Sequence, residues 1–499
     1  MSLGGGKLNR LKPDLARTHN YSSGLVPINS LPPEILTHIF RLLRPKPCQL
    51  HKLSYYDNEV KTIEYPTYPD YLAQVCTLWR QVAMASRSLW THIDLSPQDH
   101  WFDEFVGRAE QYLTRSDPLP VELHVSEGND CLIRAYSILL GYEYLCKLIY
   151  RNSSRVETLE MFVSGDFGGL YRDLLGNLLC GQRLCLTKLA IRSGAYHHDK
   201  FITPDFFDPT SSGEEPDIFA SIPSVQQIES AFARLTALHL RGIFPLWSSL
   251  AYQGLVDLRL LSTSQWSHIR ESQLVSILKS SPGLRILHFG LKILSPTPGI
   301  APETPVYLED LRVFKIFTFA QADSDVCHSR VLRLVSPGPK PLRLSFEDGY
   351  SLNDDVIIEL DRFFARSIVE IFYTSLCVPP ISLFIRHSAH VERVICNDID
   401  ISHCLDLHSE LLEMNDTPTD AYLKSLYFVG TSLTDIELGK FLAFCPTGIV
   451  LDTCRVYYED DEKPEYIRFT EKEISDTFPQ VKVNSDGYQV STDDWDFID

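Results

Sequence analysis

Leu235-Thr236-Ala237-Leu238-His239-Leu240 and, twenty residues on, Leu255-Val256-Asp257-Leu258-Arg259-Leu260 repeat one frame, apolar-x-x-apolar-x-apolar. Its closing alternation is that of a strand with one buried face. The frame recurs at Val156/Leu159/Met161, Leu186/Leu189/Ile191, Leu284/Leu287/Phe289, Leu308/Leu311/Val313, Val391/Val394/Cys396 and Leu423/Leu426/Phe428, with a weaker instance at Leu342/Leu344/Phe346. Successive starts lie 30, 49, 20, 29, 24, 34, 49 and 32 residues apart. Helix-period stretches fall between many of them: Leu170–Leu179, Gln273–Leu278, Val356–Phe364, Ile381–Ile385 and Ile436–Phe444. One strand, turn and helix cannot bury its apolar faces alone, so neighbouring copies must stack. The expected fold class is α/β, or α+β overall. An ordinary α/β domain with chance occurrences of the frame is the competing expectation.

The composition agrees. A chain of 499 residues suggests about three domains or one long array at ~150 residues per domain. Its 44% apolar and 22% charged residues are those of a folded chain. A net charge of −19 argues against nucleic acid or an anionic membrane as the main partner, since both require a basic footprint. The acid concentrates from Glu459 to Asp499, with 13 acidic and 4 basic residues. Twelve dispersed cysteines do not make a disulfide framework. No apolar run approaches the ~18 residues of a membrane span, and the basic start carries no apolar signal core. These features place the chain in the cytoplasm or nucleus, with reduced thiols.

Upstream of the frames lies a helical pair. Residues 1–27 read as a disordered tail. Ile28-Asn29-Ser30-Leu31-Pro32-Pro33-Glu34 then carries helix-start signals: a polar capping candidate, proline and an acid in the first turn. Ile35, Leu36, Ile39, Leu42 and Leu43 form one helical stripe, which Pro45 and Pro47 end. A second helix is expected from Tyr71 to Ala85, with Leu72, Val75, Cys76, Trp79, Val82 and Ala83 as its stripe. Leu89, Trp90 and Ile93 return bulky side chains to the pair.

In order, Leu31-Pro32-Pro33-Glu34-Ile35-Leu36, Ile39-Phe40, Val75-Cys76, Trp79-Arg80 and Leu89-Trp90 resemble the F-box, the helical module that binds the Skp-type adaptor of cullin-based ubiquitin ligases. The resemblance covers 28–95, with a 28-residue insertion at 44–71 where the family has a short connection. It implies that Leu31 and Pro32 insert into the adaptor. Glu34 belongs to the same motif, and Ile35, Ile39, Leu72, Val75 and Trp79 build the helix pair or its adaptor face. No catalytic residue and no cofactor is implied.

The frames over 99–455 resemble leucine-rich repeats, which implies an irregular solenoid, with an acidic segment at 456–499. Regular repeats run ~20–29 residues. The family's asparagine is replaced by Ser164, Gly194, Ile243, Thr263, Lys292, Ile316, Ile399 and Thr431, of which only the hydroxyls could supply part of its backbone hydrogen bonding. Together the resemblances imply a non-catalytic substrate receptor: an adaptor and, through it, a cullin scaffold at one end, and an unidentified target protein on the strand-lined face or its edge loops. A scaffold outside any ligase is the alternative. The x positions His239, Arg241, Arg259, His288, Arg312 and Lys315 are expected to be exposed, and would suit an acidic or phosphorylated partner.

Other chemistry is thin. Nucleophile-elbow, P-loop and dinucleotide fingerprints are absent from the sequence. Asp166-Phe167-Gly168 lacks the companion segments of a kinase and reads as a turn. Cys396, His403, Cys404 and His408 are the only foothold for an enzyme reading, but their spacing does not match a structural zinc site, so no metal is expected. His197-His198-Asp199 sits in an insert, Ala195–Asp217, whose Phe201, Phe206 and Phe207 are expected to pack down in part. The acidic run Glu459–Glu462 reads as a solvated loop. Asp493–Asp499, alternating acid with apolar residues, reads by default as a disordered end.

Overall fold

The computed structural model describes residues 27–44, 67–96, 102–126, 138–163, 169–181, 184–193, 200–208, 221–263, 267–294, 304–317, 325–347, 354–375, 380–399, 423–446, 448–458, 467–484, 492 and 495. The expected tail up to Val26, most of the 44–71 insertion, the His197-His198-Asp199 and Asp166-Phe167-Gly168 segments and Glu459–Glu462 lie outside them. The chain divides into two units, 1–188 with 207–231, and 189–206 with 232–499. Among the described residues no helix is long and apolar enough to cross a membrane. The architecture is mixed α/β, built on parallel strands.

The first unit opens with α1 (Pro33–Leu42), started by a proline in its first turn with Glu34 beside it. Leu36 and Phe40, four residues apart, bury its inner face. The expected second helix is two, α2 (Leu72–Val75) and α3 (Thr77–Ala85), because Cys76 is extended (φ −156°, ψ 173°) and caps α3 by accepting a hydrogen bond at Sγ from the Trp79 amide. Within the short α2, Leu72 goes inward while Val75, expected on the same stripe, is 57% exposed.

Residues 67–70 are tied into this helical core. The Tyr68 hydroxyl donates to the Phe40 carbonyl at 2.9 Å, and the Tyr112 hydroxyl donates to Asp70 at 2.6 Å. Trp90, fully buried, donates through Nε1 to the Ala83 carbonyl and lies under the Arg115 guanidinium. Strands β1 (His92–Leu95), β2 (Val121–Ser126) and β3 (Val156–Val163) then pair in parallel, with α4 (Phe102–Ser116) between the first two and α5 (Ile138–Asn152) between the last two. Ile93, expected against the helix pair, is a buried residue of β1.

In the second unit each strand adds beside the one before it. These are β4 (Lys188–Ser193), β5 (Ala237–Arg241), β6 (Asp257–Leu261), β7 (Ile286–Gly290), β8 (Val313–Phe317), β9 (Leu342–Glu347), β10 (Val369–Ser375), β11 (Val391–Asn397), β12 (Ser425–Val429), β13 (Ile449–Asp452) and β14 (Lys482–Asn484). From β5 onward the pairing is parallel throughout. The register stacks the frame leucines and their equivalents: Leu258, Leu287, Phe314, Leu344, Phe372, Val394 and Leu426 are successive partners. Helices cover this face. Phe314 meets Phe363 of α6 (Asp354–Arg366), Phe372 meets Phe384 of α7 (Ile381–Arg386), and Phe428 meets Phe441 of α8 (Asp435–Phe444). In α8 the capping box Thr434–Glu437 fixes the helix start.

Two frames differ from expectation. At Leu308/Leu311/Val313 the stacking positions are Phe314 and Ile316, three residues later, because β8 starts only at Val313. The second 49-residue interval hides a full strand, β10, whose Val369/Phe372/Thr374 spacing, in register with Leu342, Leu344 and Phe346, uses β-branched and aromatic residues instead of leucine. In the first long interval, Lys200–Ile202 pairs with Ile243–Pro245, Phe201 packs edge-on to Trp247, and Phe207 is buried, so the described part of the insert packs down. Thr431, at an asparagine position, is fully buried and donates its hydroxyl proton towards the Val429 and Cys396 carbonyls, at 3.1 and 3.3 Å.

Candidate functional site

Three surfaces carry residues that a packed core does not need. The first is the outer side of the N-terminal helix pair. Ile35, Leu42, Leu43, Val75 and Met84 are exposed there, at 48, 71, 47, 57 and 44%. They belong to α1 and its C-cap, α2 and α3, whose inner faces are closed by Leu36, Phe40, Leu72, Val82 and Ala83. Pro32 and Glu34 are exposed, and Leu31 and Ile39 half-buried.

The inner side separates the remaining sequence candidates. Leu72 is fully buried, which corrects its place among adaptor-contacting residues: it holds the pair together. Trp79 is half-buried, its ring 4.8 Å from Phe40 and its Nε1 donating to Asn29 at 3.0 Å. Leu42, Leu43 and Met84 were not among the sequence candidates. Their signal was available in part, since Leu42 and Leu43 belong to the α1 stripe.

The second surface is the strand face of the second unit. The residues between the last two apolar positions of each frame form one continuous row across the sheet: His239, Arg259, His288, Lys315, Ser345, Tyr373, Ile395 and Tyr427. The row is basic at one end and aromatic at the other. His239, His288 and Lys315, expected to be exposed, are buried at 6, 4 and 2%. Parallel strands about 4.8 Å apart press same-row side chains together, so a strand-face position is not a solvent position. Arg241, Arg259 and Arg312 are half-buried.

Asp257 neutralises part of this row. It lies 2.9 Å from His239 Nε2 and 2.8 Å from Arg259 Nη2. Burial alone would raise its carboxyl, but His239 and Arg259 outweigh that and hold it well below the usual carboxylate range. Lys315 Nζ donates to the Thr492 carbonyl at 2.7 Å, and the Thr492 hydroxyl donates to Glu347 at 2.9 Å. Trp495 is buried against Ile286, Val313, Ile371, Tyr373, Ile395 and Val429. The end expected to be disordered thus contributes at least two ordered residues, both on the face expected to receive a target.

A third cluster occupies the strand face of the first unit. His92 and Asp94 point from β1, Glu122 and His124 from β2, and Glu160 from β3, with His92 paired to Glu122, and Asp94 and Glu160 each paired to His124. His92 Nε2 lies 3.0 Å from Asp94 Oδ1, and the two imidazole centroids are 4.2 Å apart. Glu122 stands 3.3 Å from His92 Nδ1 and is gripped by Arg44. Glu160 stands 3.5 Å from His124 Nδ1 and 2.6 Å from Lys188 Nζ.

Burial pushes the His124 imidazole below the ordinary histidine range. Burial would raise the Glu122 carboxyl, but the neighbouring imidazoles of His124 and His92 and the Arg44 guanidinium hold it well below the usual carboxylate range. Sequence spacing could not find this cluster, because His92 and His124 meet only through strand pairing. Among the described residues, His92, Asp94 and His124 are a set able to hold a metal ion. Of the cysteine and histidine set weighed from sequence, Cys396 is fully buried in β11, and His403, Cys404 and His408 lie outside the described residues.

No family model matches the chain, and no curated protein does. Among solved structures, the crystal structure of the Rad7 and Elc1 complex in yeast is similar to it, at a TM-score of 0.34 and 12% identity, covering 98% of this chain and 99% of that one.

Proposed function

We propose that the chain is the substrate-recognition subunit of a cullin-type ubiquitin ligase, working in the cytoplasm or nucleus. In this reading the 28–95 region is an F-box that docks on a Skp-type adaptor. The strand-lined array is an irregular leucine-rich-repeat region that holds a target protein. The observation that carries the reading is the coincidence of the ordered F-box-like string with an exposed apolar surface. Pro32, Ile35 and Val75 belong to that string and face outward on an otherwise acidic chain.

The mechanism is proximity. The adaptor brings a charged ubiquitin-conjugating enzyme within reach, and the strand face or its edges raise the effective concentration of target lysines beside it. No residue of this chain takes part in bond making, and no cofactor is called for.

Co-purification with a Skp-type adaptor tests the reading, beside a Leu31→Ala/Pro32→Ala double variant. A stable complex, lost in the folded double variant, is expected. A well-folded chain that retains no adaptor would overturn it and leave the scaffold reading. If the adaptor binds, proteasome inhibition should restore the level of a target lost on expression. A target level insensitive to both would mark a non-ligase assembly.

A further inference from the structure

We propose that His92, Asp94 and His124 bind one divalent transition-metal ion, zinc above all, with a water completing its coordination. The site is independent of the receptor reading. Two imidazoles and a carboxylate are a donor set that zinc accepts, and each comes from a strand position held by ladder hydrogen bonds. Their donor atoms lie within 4.8 Å of one another. Ligands around zinc sit about 3.3 Å apart when each bond is about 2 Å long, so closure requires only side-chain rotation. The His92–Asp94 separation of 3.0 Å is already in that range.

The surrounding shell favours the same conclusion. A metal-bound histidine ordinarily gives its other ring proton to a carboxylate. Glu122 is placed for this at His92 Nδ1, and Glu160 at His124 Nδ1, at 3.3 and 3.5 Å. Lys188 holds Glu160 in turn, and Arg44 pairs with Glu122. The side chains of His92, Asp94 and His124 are only 11, 6 and 7% exposed, so the donor set is largely buried before any ion binds.

One contact opposes loading. Arg44 Nη2 lies 2.7 Å from His92 Nδ1, which as acceptor there carries its proton on Nε2. An ion on Nε2 requires the other tautomer, with the proton on Nδ1 directed to Glu122. Arg44 is therefore a brake on the site and not one of its ligands. Removing it should tighten binding, an effect that general loss of structure would not produce.

The test uses the full chain, free of any histidine tag and stripped with chelator, titrated with zinc chloride by calorimetry and with cobalt chloride by visible absorption. One equivalent should bind, and cobalt should show the ligand-field band of a four- or five-coordinate site. Asp94→Asn and His124→Gln should each weaken binding at least tenfold, Glu160→Gln more modestly, and Arg44→Met should tighten it. Circular dichroism and thermal unfolding of each variant establish folding, and Arg44→Met keeps the test decisive if a ligand variant unfolds. No saturable binding of either ion, or binding that Asp94→Asn, His124→Gln and Arg44→Met all leave unchanged, would overturn the proposal.

Discussion

The indole of Trp495 stands edge-on to the phenol ring of Tyr373, with ring centroids 6.1 Å apart and planes at 82°. The contact joins the last acidic stretch of the chain to the middle of the strand face. It explains how Ile371 and Tyr373, which point away from the helices, are nevertheless buried at 8 and 6%. A buried aromatic pair of this geometry adds about 0.5–1.5 kcal/mol to the area it covers.

Trp495→Ala should therefore cost about 2–3 kcal/mol. Most of the loss should appear as local opening, with faster amide exchange along β10 and β11 and little change in β5 or β6. Denaturant unfolding combined with hydrogen exchange measures both parts. Unchanged exchange at Tyr373 and Ile395 would show that Trp495 does not cover that face.

His328 should govern stability in mild acid. It lies inside the helix Asp325–Leu334, its ring 4.7 Å from Phe346, and complete burial lowers its pKa to about 4. The folded state resists protonation that the unfolded chain accepts near pH 6.5, so stability is full above that value and falls as pH drops towards 4. At pH 5 the loss amounts to about 2 kcal/mol relative to pH 7. Urea midpoints of the parent chain and His328→Leu at the two pH values check this. Equal acid sensitivity in both would place the titrating group elsewhere.

Asp257 acts in a lower window. Its carboxyl is depressed, so its contribution is present above about pH 4, the unfolded value, and is lost as pH falls below that through the folded value. Asp257→Ala leaves His239 and Arg259 without this partner, and removing one member of such a buried pair costs about 3–5 kcal/mol. A thermal melt of Asp257→Ala at neutral pH, matched against Asp310→Ala at the more exposed Asp310–Lys340 pair, separates buried from surface pairing. Similar small losses in both would refute the distinction.

On the N-terminal helix pair, outward and inward positions should fail differently. Ile35→Asp should leave the melting temperature nearly unchanged and weaken adaptor binding more than tenfold. Leu72→Ala should destabilise the folded chain by about 2–5 kcal/mol, because it empties a fully buried site. Parallel melts and adaptor titrations distinguish them. Loss of stability in Ile35→Asp would mean that the exposed stripe already has a partner within the chain.

Sequence alone determined the alternation of strands and helices, because burial on one side of a strand forces a two-residue period and helix packing forces a longer one. Leu258, Leu287 and Leu426 were legible as stacking positions for that reason. The N-terminal helices were legible through Pro33, Leu36 and Phe40. Strand β10 was missed where phenylalanine and threonine stand in for leucine, and the break at Cys76 where a single extended residue ends one helix and caps the next. What only the tertiary structure decided is which polar side chains meet. The cross-strand neighbours His92, Asp94 and His124, the Asp257 pair with His239 and Arg259, and Trp495 on Tyr373 depend on strand register and chain return. Both are set by the summed burial of many residues, so no local pattern around any one of them carries the information.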